Sequence, residues 1–191
     1  MLIAYEMGNA VLQLESPLAM PSAPSLPGCK TPPRDADGLI DYLLSHYHAD
    51  HRRQLPELVR LARRVESVHA SSPQCPCGLA DRLEGLWQEL ESHMRKEELL
   101  LFPLLRQGSF AQAAAPVALM RYEHEQHAAA LEGMRQLTGG FVPPPEACHS
   151  WRTLYEGLAA FGTDLEEHMR LENQVLFAFP AYTTLEGAKH G

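Results

Sequence analysis

The residues best able to do chemistry in this chain lie in two copies of one short sequence. Residues 90–97 read LESHMRKE, and residues 165–172 read LEEHMRLE. In each copy a histidine is followed four residues later by a glutamate, so on a helix the imidazole and the carboxylate point to the same side. Imidazole suits Fe, Zn, Cu or Ni, and a carboxylate is a hard ligand that can join two ions. Two such faces turned toward each other would form a site for two metal ions.

A second pair of histidines precedes each copy. His48 and His51 come before the first copy, and His124 and His127 come before the second. Each half of the chain therefore combines a His-x-x-His segment with a His-x-x-x-Glu segment. Counted from the connecting loops at about 1.5 Å of rise per helical residue, the segments reach one level to within a few turns. Burying so many polar groups without partners would cost on the order of several kcal/mol each, and metal ligation removes that cost.

Apolar residues at helical spacing predict four helices around these segments. The expected ranges are 35–69, 79–106, 115–137 and 146–177, here called helices A to D. Asp35 and Asp37 are candidate N-caps of helix A, and Pro103 is a candidate kink or end of helix B. No stretch alternates with a period of two. Four helices joined by short loops predict an all-α fold, an up-down-up-down four-helix bundle.

Composition limits the domain organisation and the partners. With 191 residues, the chain is expected to form one domain over residues 35–180, after a Pro-rich N-terminal tail over 1–34 and before a C-terminal tail over 181–191. A net charge of -8 argues against a nucleic-acid partner. The sequence lacks an apolar run of roughly 18 residues and a signal-peptide pattern, so we expect no membrane partner and a cytoplasmic location. We expect a monomer or a homodimer.

One further histidine, His69, and three of the cysteines are kept apart from this site. His69 follows His48 on the same helical stripe, roughly 31 Å away at the rise of a continuous helix, so only a break, for which Pro56 is a candidate, would bring it back. Cys75 and Cys77 in the A–B loop and Cys148 at the start of helix D lie at the same end of the expected bundle as His69. That end is either a reduced surface loop or a second metal or thiol site.

The ligand types favour iron over the other metals. No cysteine falls among these segments, which disfavours a thiolate zinc site. Ferritin-type bundles use Glu-x-x-His pairs and four carboxylates, whereas this sequence has the reverse order and more nitrogen. Two histidines for each ion with two bridging glutamates suit a non-haem di-iron centre. One oxo or hydroxo bridge would complete five ligands and leave an open position on each iron for O2, NO or peroxide.

With these residues in view, the chain resembles the hemerythrin-like proteins and, more closely, the Repair of Iron Centers family of iron–sulfur cluster repair proteins. The resemblance covers about residues 37–180. The segments that carry it are YHADHR at 47–52, QLPEL at 54–58, VESVH at 65–69, HMRKEE at 93–98, EHE at 123–125, PPPEAC at 143–148 and HMRLEN at 168–173. The His-x-x-x-Glu copies alone would indicate only a hemerythrin-like protein.

The resemblance implies a role for each residue of the site. Four histidines are then terminal iron ligands and two glutamates are bridges: His48, His93, His124, His168, Glu97 and Glu172. His51 and His127 are either outer-shell groups or alternative ligands. Glu89, Glu123 and Glu125 either line a polar path for iron or protons or face solvent.

The resemblance also implies a function in the response to nitrosative or oxidative stress. The leading expectation is a di-iron protein that restores damaged iron–sulfur proteins by supplying iron. The alternatives are an NO- or O2-binding scavenger or sensor associated with denitrification, and a bundle that the metal only holds together. Longer family members begin with a small domain that contains adjacent cysteines, whereas this chain has a Pro-rich tail with the single Cys29 there. An activity that depends on that domain is not expected.

Overall fold

A computed structural model of the chain describes residues 32–33 and 35–178. The tails expected over residues 1–34 and 181–191 lie outside the described residues, apart from Pro32 and Pro33. Six α-helices follow one another: α1 Ala36–Leu43, α2 Ala49–Val68, α3 Leu79–Lys96, α4 Phe102–Arg106, α5 Phe110–Leu137 and α6 His149–Gln174. A 3₁₀ turn, Leu176–Ala178, follows α6.

Two π-helical turns join the shorter α-helices into longer rods. Leu44–His48 connects α1 to α2, and Glu97–Leu101 connects α3 to α4. The residues at their junctions keep right-handed helical dihedral angles, so helices A and B of the sequence analysis are each continuous. Pro103 lies in the first turn of α4, directly after the π-helical turn Glu97–Leu101, and does not end the rod.

The helix ends follow local chemistry with one clear difference from expectation. Asp35 is the N-cap of α1, and its carboxylate accepts a hydrogen bond of 2.7 Å from the Gly38 N–H. Helix C begins at Phe110 rather than at residue 115, with Pro116 inside it. The additional turn buries Ala113 in the core and packs Phe110 against it, which offsets the backbone hydrogen bond that Pro116 cannot make.

The rods form a four-helix bundle, as the sequence predicts. The helix α2 packs against α3 and α6, and α5 packs against the same two helices. Two apolar clusters fill the interior. One contains Leu55, Leu90 and Phe161, and the other contains Leu43 and Leu101. A layer of buried polar side chains lies between the two clusters, at the level of the two His-x-x-x-Glu copies.

None of the helices within the described part of the chain combines the length and the apolar composition needed to cross a membrane.

Candidate metal centre

All six side chains assigned to iron converge in the polar layer of the bundle. Each is 3% exposed or less, although every one is ionisable. Within the described residues, the groups that could jointly hold a metal ion are two: His48, Glu97, His168 and Glu172; and His93, Glu97, His124 and Glu172. Both glutamates belong to both groups. The structure therefore provides two adjacent four-donor positions with two carboxylates in common.

Each glutamate presents one oxygen to each position. Glu97 Oε2 lies 3.4 Å from His48 Nε2, and Glu97 Oε1 lies 3.4 Å from His93 Nε2. Glu172 repeats the arrangement: its Oε1 is 3.1 Å from His168 Nε2 and its Oε2 is 3.1 Å from His124 Nε2. A carboxylate with its two oxygens directed at two different donor sets has the geometry of a bridging ligand.

The imidazole spacing also fits a common ion. His93 Nε2 and His124 Nε2 are 3.0 Å apart. Two nitrogens bound to one ion at about 2.0–2.1 Å and at right angles to each other would be separated by about 3 Å. The two nitrogens of this pair are therefore already at the separation that ligation requires.

Without metal, burial and neighbouring charges shift the pKa values of three candidate ligands away from their usual range. Burial raises the pKa of Glu97 well above its usual range, and the neighbouring Glu172 carboxylate raises it further. Burial also acts to raise the pKa of Glu172, but His168 and His124 outweigh it and hold that pKa well below its usual range. Burial lowers the pKa of His93 to about 3. Without metal, the two glutamates share roughly one negative charge because two buried anions in contact repel each other.

Unpaired polar atoms show that the donor set fits a metal. Buried atoms without a hydrogen-bond partner among the described residues include His48 Nε2, both carboxylate oxygens of Glu97, and Glu172 Oε2. A buried polar atom without a partner costs about 1–3 kcal/mol. These atoms all face the two four-donor positions, where a cation would satisfy them. Imidazole and carboxylate without thiolate suit iron, and zinc is also compatible with them.

Outer hydrogen bonds orient three of the four imidazoles. His48 Nδ1 is 2.8 Å from Glu98 Oε1, His93 Nδ1 is 2.9 Å from Glu123 Oε2, and His124 Nδ1 is 3.1 Å from Asn173 Oδ1. When Nδ1–H donates to such an acceptor, the lone pair of Nε2 is left for a metal. These acceptors were not assigned from the sequence. Glu98 and Asn173 follow the two bridging candidates directly, so their shared position in the repeat was the available signal.

The fourth imidazole breaks this pattern. His168 Nδ1 has no hydrogen-bond partner among the described residues. Its ring instead stacks on Tyr47, with centroids 5.2 Å apart and an interplanar angle of 3°. Tyr47 precedes His48 just as Glu123 precedes His124, so a phenol ring in one half replaces a carboxylate acceptor in the other. The two candidate metal positions are thus unequal in their outer contacts.

His51 and His127 flank the six candidate ligands without joining either four-donor group. Both are buried, at 0% and 2% exposure. The ring centroid of His51 is 5.3 Å from that of His168, and the ring centroid of His127 is 4.9 Å from that of His93. Burial lowers the pKa of each to about 3, so both imidazoles are neutral near pH 7. Their position supports an outer-shell role rather than ligation.

A cleft of about 470 Å³ between α3 and α5 leads toward one side of this layer. Glu89, Glu123, Lys96 and His127 are among its lining residues. Lys96 forms an ion pair with Glu123, which also contacts His93. Glu125, considered with these acids in the sequence, is exposed and does not line the cleft.

His69, Cys75, Cys77 and Cys148 lie at the far end of the bundle. The helix α2 continues through Pro56, so the rise of about 1.5 Å per residue separates His69 from His48 by roughly 31 Å. His69 Nε2 instead lies 3.2 Å from Cys148 Sγ, and its ring contacts Trp151. Cys75 and Cys77 are free thiols. Neither belongs to a group of side chains able to hold an ion within the described ranges.

The chain matches one family model and is similar to several curated proteins. The family model described as the hemerythrin HHE cation binding domain matches residues 39–179. The chain is 48% identical over 139 residues to the iron–sulfur cluster repair protein YtfE of Pectobacterium atrosepticum, and equally to the YtfE protein of Yersinia pseudotuberculosis. In both comparisons the match covers 73% of this chain and 63% of the relative. The chain thus spans less than two thirds of the length of these curated relatives.

The matched range contains both four-donor groups and, apart from the first three residues of α1, all four helical rods of the bundle. The chain belongs to the hemerythrin HHE cation-binding family.

Proposed function

We propose that the chain holds two iron ions and uses them to restore damaged iron–sulfur clusters. In this proposal His48 and His168 are terminal ligands of one ion, and His93 and His124 are terminal ligands of the other. Glu97 and Glu172 bridge the two. The observation that carries the proposal is that each of these carboxylates directs one oxygen to each donor group.

The protein's own groups would set how firmly the metal is held. Glu98 and Arg52 form a hydrogen-bonded pair behind His48, which fixes that imidazole and keeps its Nε2 directed inward. Apolar clusters lie on both sides of the layer, and the cleft between α3 and α5 reaches its edge at His127. Bound iron would supply a redox-active metal that can be passed to a damaged cluster.

The assignment to repair rests on similarity as well as on geometry. The relatives that share 48% identity with this chain are named iron–sulfur cluster repair proteins. The range matched by the hemerythrin family model, residues 39–179, contains all six candidate ligands. Damaged iron–sulfur proteins are therefore the proposed clients.

Reactivation of a damaged cluster enzyme tests this function. Aconitase inactivated by NO or peroxide would be incubated with the iron-loaded chain, with the metal-free chain, or with the same amount of ferrous salt. We expect recovery only with the loaded chain when a ferrous chelator too weak to strip the protein is present. Recovery that is equal with the ferrous salt would show that the chain is not the iron donor.

A scavenger of NO is the alternative function, and the cleft is the observation that favours it. Its lining reaches Glu123 and His127, which both contact His93. A small diatomic molecule could therefore approach one candidate metal position without unfolding the bundle. Stoichiometric uptake of NO without any recovery of aconitase would favour this function over repair.

A further inference from the structure

His51 and His127 are buried histidines, and each has at least one ring nitrogen without a hydrogen-bond partner in the described part of the chain. Neither ring nitrogen of His51 has a hydrogen-bond partner among the described residues, and the same is true of Nδ1 of His127. Leaving such groups unsatisfied costs about 1–3 kcal/mol each, whereas an apolar side chain of similar shape would avoid the cost. The two residues also occupy equivalent places in the two halves of the chain, three residues after His48 and His124. Gln54 lies beside His51, and the two histidines form a matched pair of buried imidazoles with ring nitrogens available to a further partner.

The topology places these two imidazoles on the side of the metal layer opposite the bridging carboxylates. Along α2 the chain runs from His48 past His51 toward the α2–α3 loop, and α3 returns from that loop to His93 and then to Glu97. His51 is therefore on the loop side of the layer and Glu97 is on the other side.

The second half of the chain repeats this order. His127 lies on the side of the α5–α6 loop, and Glu172 lies beyond His168. The contact of 3.2 Å between His69 at the end of α2 and Cys148 before α6 shows that the two loops share one end of the bundle. His51 and His127 consequently lie on one face of the layer, and Glu97 and Glu172 lie on the other.

We propose that His51 and His127 donate hydrogen bonds to a small ligand with acceptor lone pairs, such as azide or NO, held at the two metal positions on the face that the carboxylates leave open. This inference rests on the proposed two-iron centre and adds the residues that recognise its small ligand.

Several contacts support a donor role over direct ligation. His51 packs against His168 and against the edge of Phe161, at a centroid distance of 5.3 Å from each ring. His127 lies edge-on to His93. Each therefore rests against a candidate terminal ligand rather than in place of one. A neutral imidazole carries one N–H donor, which is what an acceptor ligand requires.

The cleft between α3 and α5 opens at only one of the two donors. His127 lines it, whereas His51 is enclosed by Phe161, Tyr47 and His168. A ligand that enters through the cleft meets His127 first and His51 last. We therefore expect substitution of His127 to alter the rate of ligand entry as well as its affinity, and substitution of His51 to alter affinity alone.

Azide titration of the iron-loaded protein tests the proposal. His51→Leu and His127→Leu should retain the iron content of the unaltered chain and bind azide about 10- to 100-fold more weakly, the weight of one charge-assisted hydrogen bond. His51→Gln and His127→Gln keep an N–H donor and should recover part of that affinity. Phe161→Leu disturbs the packing around His51 without removing a donor and serves as the matched control for His51→Leu.

The azide titration has two outcomes that would overturn the proposal. Azide affinity within twofold of the unaltered chain in both leucine variants would overturn the proposal, and so would loss of iron, since that would make these histidines ligands. If Phe161→Leu lost as much azide affinity as His51→Leu, the loss would come from disturbed packing, and the donor role of His51 would be refuted. Because the titration does not involve cluster repair, failure to reactivate aconitase would overturn the repair function and leave this inference intact.

Discussion

Acidification of the metal-free protein should weaken its folded state steeply between about pH 6.5 and pH 4.5. Burial lowers the pKa of His51, His93 and His127 to about 3 from a usual value of 6.5. In the unfolded chain the same imidazoles titrate near 6.5. Between those values the unfolded chain binds three protons that the folded chain does not, so the free energy of unfolding falls as the pH falls.

One carboxylate opposes this trend. Burial and the neighbouring carboxylate raise the pKa of Glu97, so above about pH 4.5 the folded chain holds a proton that the unfolded chain has lost. The stability from Glu97 is therefore present at low pH and is lost as the pH rises. The unfolded chain therefore binds three more protons on the imidazoles and one fewer on Glu97, a net difference of two protons. At about 1.36 kcal/mol per proton and pH unit, the free energy of unfolding changes by about 2.7 kcal/mol per pH unit at most.

Such a slope is large compared with the stability of a domain. A total of 5–15 kcal/mol is usual, so a fall of about 5 kcal/mol over two pH units should bring the metal-free chain close to unfolding near pH 4.5. Below that pH the opposition from Glu97 ends and Glu172, whose pKa is lowered in the folded chain, adds to the loss.

Urea unfolding followed by circular dichroism at several pH values, with a chelator present, measures this slope. The variant His127→Leu removes one of the three imidazoles and should lower the slope by about 1.4 kcal/mol per pH unit. A free energy of unfolding that stays constant from pH 6.5 to 4.5 would refute the reasoning. An unchanged slope in the variant would show that His127 is not buried in its neutral form.

Three further predictions concern the metal itself. His69→Ala should retain both ions, whereas His48→Ala should lose them, and equal iron loss in the two variants would contradict a continuous α2. Glu97→Ala should lose both ions and the stabilisation they give, about 2.7 kcal/mol for each ion at a free metal concentration 100 times Kd, as metal analysis and thermal unfolding will show; two ions retained would mean that it is not a bridge. Asn173→Ala should weaken metal binding about 10- to 100-fold in competition with a chromophoric chelator, and unchanged affinity would show that its contact with His124 has no influence on the metal.

The sequence predicts the bundle and the location of the six polar side chains because both depend on helical periodicity. A His-x-x-x-Glu segment on one helix has to place its two side chains on one face, and apolar residues on either side of it have to be buried. The prediction of a four-helix bundle is confirmed. The predicted start of helix C at residue 115 is wrong by about one turn. The helix begins at Phe110, because Phe110 and Ala113 pack into the apolar core ahead of the expected start.

The finer features of the site depend on contacts between helices, which spacing along one helix does not contain. The π-helical turns end at His48 and begin at Glu97, and no local sequence rule marks them. The acceptors behind the imidazoles come from neighbouring rods, as with Glu98 behind His48 and Glu123 behind His93. Tyr47 and Glu123 occupy equivalent positions in the two halves of the chain. That equivalence is visible only when the halves are aligned as one repeat.

The number and identity of the bound metal ions test the central claim most directly. Two ions that share both Glu97 and Glu172 require six protein ligands, which exceeds the four of a single tetrahedral site. Elemental analysis of the purified chain, together with its absorption spectrum, should give about two iron ions per chain with charge-transfer bands. One zinc ion per chain and no iron would contradict the account.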